Sequence, residues 1–203
     1  MIDRLPIAAP GMRIGLLGGS FNPPHEAHRA VSLLTQKRLG LDRVWWLVSP
    51  GNPLKDKRTL PPLPERIALS RKIATLPFID VTGIEAALGT RFTYDTVAKL
   101  RQRFPGIRFV LLMGADNLAE FHRWRRWREL SDLAPMAVVD RSGSSLSALA
   151  SPAAVALARA RIEESAAISL PLRTPPAWVF LHGLKSVVSS TALRTASREQ
   201  AKG

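Results

Sequence analysis

Two histidines three residues apart are the side chains of this sequence whose types and spacing most clearly suggest chemistry. His25 and His28 lie in GGSFNPPHEAH, residues 18–28, and make up half of the four histidines in the chain. The apolar run before them predicts a buried strand, and the paired prolines predict a turn. A helix beginning near Glu26 would place both imidazoles at its N-terminus, where free amides and the helix dipole favour an anion. The segment therefore predicts a phosphate-binding site.

Zinc binding is a second interpretation of this spacing, because two histidines three apart can chelate a metal ion. The chain has no cysteine, and no third ligand is evident beside the pair. A third interpretation gives the two histidines no common role at the start of the helix. Phosphate binding accounts for the glycines, the prolines and both histidines together. The glycine spacing matches neither the dinucleotide fingerprint nor the phosphate loop that ends in Gly-Lys-Ser/Thr.

A second candidate for phosphate binding is VVSSTALR, residues 187–194. Ser189 or Ser190 can cap a helix whose free amides and hydroxyls hold phosphate oxygens, and Arg194 adds a positive charge. Taken alone, the pattern is more typical of an ordinary capped helix than of a phosphate site. Its place after the last predicted strand favours phosphate binding when it is combined with the histidine segment.

The elements that must position these residues alternate along the chain. Short β-branched or aromatic runs are separated by helical patterns, which predicts an α/β fold with a doubly wound parallel sheet and ligands at the carboxyl ends of its strands. Pro64 predicts the first turn of a helix over residues 63–76. We expect residues 1–11 to form an N-terminal extension and residues 12–203 a single domain. A surface connection is expected over 142–152. The predicted strands span 12–18, 43–49, 78–82, 107–114, 136–140 and 178–182.

Composition limits the class of protein. A net charge of +13, from 29 Lys and Arg against 16 Asp and Glu, favours an anionic partner such as nucleic acid, an anionic membrane or a phosphorylated ligand. The absence of cysteine excludes disulfides and thiolate metal sites. No apolar run approaches the roughly 20 residues of a membrane-spanning helix, and the N-terminus is a poor signal peptide, so a cytoplasmic protein is predicted.

The histidine segment resembles the G-x-F-x-P-x-H-x-G-H motif of nucleotidyltransferases, which move a nucleoside monophosphate from ATP or CTP to a phosphorylated acceptor. The chain departs from this motif at Ala27, where the family usually has glycine. The C-terminal motif resembles the I-S-S-T-x-I-R signature of the same family, with Val188 and Leu193 as conservative replacements. The matching positions of the first motif are Gly19, Phe21, Pro23, His25 and His28.

This resemblance implies a Rossmann-like nucleotidyltransferase fold that binds ATP, with Mg²⁺ bridging the triphosphate oxygens and no dedicated protein ligands for the metal ion. Asp116, just after a predicted strand, is expected to accept hydrogen bonds from the ribose hydroxyls. The residues expected to act in the reaction are His25 and His28 at the triphosphate, with His28 at the α-phosphate, and Lys55 and Arg194 as positive charges. The residues expected to bind ATP are Gly18, Gly19, Ser20, Phe21, His25, His28, Asp116, Ser189, Ser190, Thr191 and Arg194.

Two further segments resemble the acceptor-binding elements of the nicotinate mononucleotide adenylyltransferases. SPGNPLK, residues 49–55, resembles their substrate loop, which implies that Asn52 and Lys55 contact the acceptor. RFTYDTVAKL, residues 91–100, resembles their T-Y-x-T-x-x-x-L element, which implies that Thr93 lies by the pyridine carboxylate. A plain structural interpretation makes Thr93 the cap of a helix.

Trp124, in FHRW, resembles the tryptophan that stacks on the pyridine ring in that group, and the amide of Arg125 is then expected near the carboxylate. The alternative is that Trp124 and Trp127 form one face of an amphipathic helix packed on the core.

The resemblance implies adenylyl transfer from ATP to nicotinate mononucleotide, giving nicotinate adenine dinucleotide and pyrophosphate, with no nucleic-acid or membrane partner. Transfer to another phosphorylated acceptor, such as phosphopantetheine or the amidated mononucleotide, stays open. An interpretation from a different class is nucleic-acid binding through HRWRRWR, residues 122–128, with arginines on phosphates and tryptophans on bases.

Overall fold

A computed structural model describes residues 6–51, 60–141 and 145–184 of the chain. Its strands are β1 (Arg13–Gly19), β2 (Arg43–Val48), β3 (Ile79–Thr82), β4 (Arg108–Gly114), β5 (Met136–Arg141), β6 (Arg161–Ile162) and β7 (Trp178–Leu184). Its α-helices are α1 (Glu26–Leu39), α2 (Leu63–Ile73), α3 (Ile84–Ala87), α4 (Thr93–Arg103), α5 (Ala115–Glu120), α6 (Trp127–Leu133), α7 (Ser145–Leu149) and α8 (Pro152–Ala156). Three 3₁₀ segments span Phe121–Arg123, Ala158–Ala160 and Glu164–Leu172.

All seven strands form one sheet in the order β3-β2-β1-β4-β5-β7-β6, and every pair of neighbours is parallel. The predicted doubly wound parallel α/β fold is therefore confirmed. The strand order reverses between β1 and β4, where Leu17 is in register with Leu112. Open parallel sheets bind ligands in the crevice at such a reversal, outside the carboxyl ends of the strands.

The six predicted strands are confirmed, and two expectations need correction. The two-residue strand β6 was not predicted, because Arg161–Ile162 is too short to show an alternating pattern. The expected surface connection over 142–152 contains helix α7, and Ala148 in that helix is fully buried. The stretch is rich in Ser and Gly, which is typical of a loop, so its sequence did not predict the helix or the burial of Ala148.

Adjacent tryptophans in β2 show how both faces of the sheet are buried. Trp45 packs edge-to-face against Phe104 and Phe109, whereas Trp46 stacks on Phe21 on the opposite face. Both indoles are 0% exposed. Because side chains alternate along a strand, two buried large neighbours require a core on each face.

The described helices do not include one with both the length and the apolar composition needed to cross a membrane.

Candidate active site

The histidine pair lies where β1 passes into α1, at the reversal of the strand order. The chain leaves β1 at Gly19, turns, and reaches His25, which is the extended N-cap residue of α1 at φ −151° and ψ 167°. Helix α1 begins at Glu26, as predicted. His25 is 4% exposed, and its ring centroid lies 4.0 Å from that of His28. The two imidazoles therefore form one contiguous group at the N-terminus of a 14-residue helix.

A hydrogen bond determines which nitrogen of His28 carries the proton. The backbone N–H of His25 donates to Nδ1 of His28 across 3.2 Å. Because Nδ1 accepts this bond, the neutral imidazole of His28 must carry its proton on Nε2. His28 is thus arranged as a hydrogen-bond donor through Nε2.

The position of His28 is stabilised by packing and hydrogen bonds that involve Phe21, Trp46 and Ser32. The ring of Phe21 lies 4.6 Å from that of His28 and stacks on Trp46 at 5.1 Å. The indole N–H of Trp46 donates to Oγ of Ser32 across 2.8 Å, and the Ser32 hydroxyl donates to the carbonyl oxygen of His28 across 2.8 Å. These contacts fix the first turns of α1 on β2. Sequence reasoning assigned no role to Ser32 or Trp46, and the only signal was that Ser32 lies one helical turn after His28.

Phe21 has φ +46°, a left-handed backbone conformation that a bulky side chain rarely adopts. The burial of its ring against Trp46, at 1% exposure, offsets the cost of this conformation. The neighbouring Gly18 has open space on its Cβ side: a methyl group there would meet no described atom within 4 Å.

Arg66 is a buried residue that ties the same turn to the segment after β2. Its guanidinium donates to the carbonyl oxygens of Ser20, Ser49 and Pro61 across 2.7, 2.8 and 2.9 Å. The residue is 1% exposed, and its burial lowers the pKa of the guanidinium. Among the described residues no carboxylate forms a salt bridge with it. Sequence reasoning missed Arg66, because nothing in the pattern of α2 distinguishes it from a solvated arginine.

Asp116 lies in the first turn of α5, directly after β4, as predicted. The carboxyl end of β4 adjoins that of β1, so Asp116 follows the strand next to the one that leads to the histidines. The predicted residues Asn52, Lys55, Ser189, Ser190, Thr191 and Arg194 lie outside the described residues.

The interpretation of Thr93 as a helix cap is wrong. Phe92 is the N-cap residue of α4, its carbonyl oxygen accepts the N–H of Thr96 across 3.1 Å, and Thr93 is the first helical residue. The hydroxyl of Thr93 is therefore not needed to terminate the helix.

The interpretation of Trp124 and Trp127 as one helix face is also wrong. Trp124 follows a 3₁₀ turn, Arg126 has a left-handed backbone with φ +55°, and only then does α6 begin at Trp127. Trp127 is 9% exposed in the core, whereas Trp124 packs edge-to-face on Phe121 at 5.4 Å and is only partly buried.

A buried polar cluster supports the start of α4. The Thr96 hydroxyl lies 3.2 Å from Oε1 of Glu85 and 2.8 Å from the Thr90 hydroxyl. Glu85 is 8% exposed, and burial raises its pKa to about 7 although the Thr96 hydrogen bond opposes this shift. Sequence reasoning did not single out this carboxylate, because the short helix α3 shows no periodicity.

Within residues 6–51, 60–141 and 145–184, no group of three or more His, Asp or Glu side chains could hold a metal ion. The zinc interpretation of His25 and His28 therefore finds no third ligand in the part of the chain that the structure describes.

Known proteins resemble this chain in sequence and in fold. The model of the cytidylyltransferase-like family matches residues 16–196. A protein of Bradyrhizobium sp. (strain ORS 278) named probable nicotinate-nucleotide adenylyltransferase is 58% identical over 183 residues, which cover 90% of this chain and 95% of that protein. A protein of the same name from Methylorubrum extorquens (strain PA1) is 56% identical and is covered over its full length, with 91% of this chain aligned.

A solved structure of similar fold is the nicotinic acid mononucleotide adenylyltransferase of Plasmodium falciparum complexed with APC, with a TM-score of 0.64 and 18% identity over 91% of this chain and 83% of that one. The same enzyme complexed with NaAD has a TM-score of 0.62 and 17% identity, with the same coverage of both chains. These two likenesses show the fold, and the sequence relatives show the family. The chain belongs to the cytidylyltransferase-like family, among relatives named nicotinate-nucleotide adenylyltransferases.

Proposed function

We propose that this protein transfers AMP from ATP to nicotinate mononucleotide, as a cytoplasmic step of NAD biosynthesis. The observation that carries the proposal is the His25–His28 pair at the N-terminus of α1, in a chain whose relatives bear the name of this activity. A phosphate oxygen of the acceptor forms a bond to the α-phosphorus of ATP. The bond between that phosphorus and the β-bridging oxygen breaks, and pyrophosphate leaves with the electron pair.

The reaction needs alignment more than proton transfer. The acceptor phosphate is already a nucleophile at neutral pH, so no general base is required. Two anions that repel each other must be brought into line while hydrogen-bond donors and cations surround the α-phosphate and the leaving group. His28 supplies a donor through Nε2, because its Nδ1 is occupied by the N–H of His25. We assign that Nε2–H to the α-phosphate.

The remaining ATP contacts follow from the same arrangement. Gly18 and Gly19 at the end of β1, and Ser20 directly after it, bring the backbone close to the triphosphate, and Phe21 fixes the turn that follows. Asp116 is assigned to the ribose hydroxyls. Positive charge near the phosphates is assigned to Lys55 and Arg194, and the C-terminal serines and threonine are assigned to the triphosphate.

The pyridine ring of the acceptor is assigned to residues that follow β3 and β4, the strands on either side of β1 and β2 in the sheet. Trp124 offers a planar surface, held edge-to-face by Phe121, for the pyridine ring. Thr93, which does not cap α4, and the amide of Arg125 are assigned to the pyridine carboxylate. Asn52 and Lys55 are assigned to the remainder of the acceptor.

Mg²⁺ enters this scheme as part of the substrate MgATP. The ion takes oxygen ligands and keeps several waters, so the triphosphate itself supplies what it needs. Its chemistry is to neutralise charge on the phosphate oxygens while the pyrophosphate departs.

The decisive experiment is an assay of the purified protein with MgATP and one of three acceptors: nicotinate mononucleotide, its amide or phosphopantetheine. Dinucleotide and pyrophosphate are both quantified. We expect equimolar product and pyrophosphate, with strong preference for the acid. Pyrophosphate release only with another acceptor would retain the nucleotidyl transfer and overturn the acceptor assignment. No product with any acceptor, together with salt-sensitive binding of RNA or DNA, would overturn the proposal as a whole.

A further inference from the structure

Two arginines join the segment of Trp124 to the segment of Thr93. The guanidinium of Arg125 lies over the ring of Phe92, 4.7 Å from its centroid, and that of Arg126 lies over the ring of Tyr94 at 3.8 Å. Phe92 and Tyr94 are the residues on either side of Thr93, and the two arginines directly follow Trp124. The two segments assigned to the acceptor ring are thus connected by two parallel cation–π contacts between residues about thirty positions apart.

The backbone around Arg126 is shaped for this contact. Arg126 has φ +55°, a conformation uncommon for a residue other than glycine, and it is the residue from which α6 begins. Its guanidinium also forms a salt bridge with Glu129, one turn into α6, at 3.3 Å. The carboxylate holds one edge of the guanidinium while the face lies on Tyr94. Arginine suits this double contact because its planar cation can stack and form an ion pair at the same time.

We propose that Arg125 and Arg126 are positioning and specificity residues that hold the Trp124 segment against the Thr93 segment and favour an anionic acceptor ring. The inference rests on the proposed function, because it takes Trp124 and Thr93 as the walls of the acceptor site. Neither arginine side chain is itself placed on the acceptor.

The charge of the pair gives the specificity. Nicotinate carries a carboxylate where nicotinamide carries a neutral amide, and the two guanidinium groups lie on residues adjacent to the proposed ring-stacking tryptophan. A guanidinium that is stacked on an aromatic ring is kept in place, so its potential acts at a fixed position. Glu129 offsets part of the charge of Arg126, so within the pair the positive potential comes mainly from Arg125, and it favours an acid over an amide even without a direct ion pair.

Arg128 provides a matched control on the same surface. Its guanidinium lies 4.3 Å from the ring centroid of Trp127, the residue immediately before it. This contact is of the same chemical type and adds the same charge, but it does not join a second segment. Arg128→Ala therefore removes a stacked arginine without disconnecting the two walls.

The test is a double-mutant cycle on Arg126 and Tyr94, using Arg126→Ala, Tyr94→Leu and both together. Each single change is expected to raise KM for nicotinate mononucleotide about threefold to fivefold, which is the range for an exposed cation–π contact. The double variant should be no worse than either single variant, because the contact can be lost only once. KM for ATP should not change, and Arg128→Ala should match the wild type.

Selectivity is measured by the ratio of kcat/KM for the acid to that for the amide. Arg125→Ala combined with Arg126→Ala should raise KM for nicotinate mononucleotide about tenfold if the two contacts act independently, and the loss of positive charge should also lower this ratio. Arg126→Gly distinguishes the effect of the side chain from that of the backbone, because glycine readily adopts the left-handed conformation. This variant should still have the higher KM for nicotinate mononucleotide. Additive effects in the cycle, an equal effect of Arg128→Ala or an unchanged acid-to-amide ratio would overturn the proposal.

Failure of the proposed function is distinguishable from failure of this inference. If the wild-type protein uses neither mononucleotide, the proposed function is wrong, and that result comes from the wild type alone. If the wild type is active, the same cycle carried out on the free energy of unfolding shows whether Arg126 and Tyr94 interact. An active wild type without coupling between them would overturn the inference only.

Discussion

The backbone N–H of His25 donates to Nδ1 of His28 across 3.2 Å, so the residue that caps α1 also selects the tautomer of the histidine one turn later. A single hydrogen bond thereby converts two neighbouring histidines into residues with different tasks. His25 is buried at the helix start and orients its neighbour, while His28 is arranged to donate through Nε2. This asymmetry assigns the donor role in the reaction to His28, whose replacement has a specific expected effect.

His28→Ala should lower kcat about 100-fold or more while changing KM for nicotinate mononucleotide less than about threefold, because a donor to the α-phosphate acts mainly in the transition state. Steady-state kinetics with each substrate varied in turn measure this difference. His28→Asn, which retains an N–H donor, should recover part of the loss. Equal losses in kcat and acceptor affinity, or none, would contradict a transition-state role.

Arg66→Ala should leave three partly buried carbonyl groups without this donor and open a guanidinium-sized cavity between the Ser20 turn and both ends of the segment after β2. We expect a loss of about 3 kcal/mol in the free energy of unfolding, since each unsatisfied buried polar group costs about 1–3 kcal/mol and water will satisfy some of them. We also expect a fall in kcat/KM for both substrates. Chemical denaturation with urea and initial-rate assays measure the two effects.

Chemical rescue makes the test of Arg66 specific. Guanidinium chloride at concentrations too low to denature the protein should restore part of the activity of Arg66→Ala, because the free ion can donate to the same three carbonyls. Sodium chloride at the same ionic strength should not. Arg66→Lys keeps the charge but lacks the planar set of donors, so it should recover less activity than the rescued alanine variant. Rescue by sodium chloride as well would point to a general salt effect.

Residues with strong local patterns were predictable from the sequence, and residues defined by tertiary contacts were not. The strands and the start of α1 follow from apolar runs and from the two prolines before His25. Arg66 binds carbonyls of the Ser20 turn and of both ends of the segment after β2, and Trp46 in β2 binds Ser32 in α1, so neither contact leaves a local signal. Phe92, not Thr93, is the N-cap of α4, and its ring lies under the guanidinium of Arg125, a tertiary contact that helix-capping propensities do not include.

The buried carboxylate of Glu85 predicts a dependence of stability on pH. Its pKa is raised to about 7 in the folded protein, mainly by burial, from about 4.5 when unfolded. Between these two values the unfolded chain releases a proton that the folded chain retains, so stability should decrease as pH rises from about 4.5 to about 7, by about 3 kcal/mol in all. Above that range this contribution should be constant.

Glu85→Gln removes the ionisation and retains an oxygen that can accept the Thr96 hydroxyl. The variant should therefore be more stable than the wild type by about 3 kcal/mol at about pH 8, and of similar stability at about pH 3, where the wild-type carboxyl is protonated in both states. Urea unfolding at several pH values provides the comparison. Parallel stability curves for the two proteins would show that Glu85 does not titrate in this range.

Substitutions at two glycines of β1, Gly15 and Gly18, should have different effects on stability and on ligand binding. A methyl group at Gly15 would lie 2.6 Å from Cδ1 of Leu112 and 2.8 Å from Cδ1 of Leu41, whereas one at Gly18 would meet no described atom within 4 Å. Gly15→Ala should therefore lower the free energy of unfolding by about 1–3 kcal/mol through overpacking of the core. Gly18→Ala should leave the thermal midpoint unchanged.

The same pair tests whether the turn after β1 receives the triphosphate. If the backbone at Gly18 approaches ATP closely, Gly18→Ala should raise KM for ATP about tenfold or more while KM for nicotinate mononucleotide stays within about twofold. Gly15→Ala, assayed well below its unfolding transition, should retain the wild-type KM for ATP. Normal ATP affinity in the Gly18 variant would show that the open space beside this glycine is not occupied by the nucleotide.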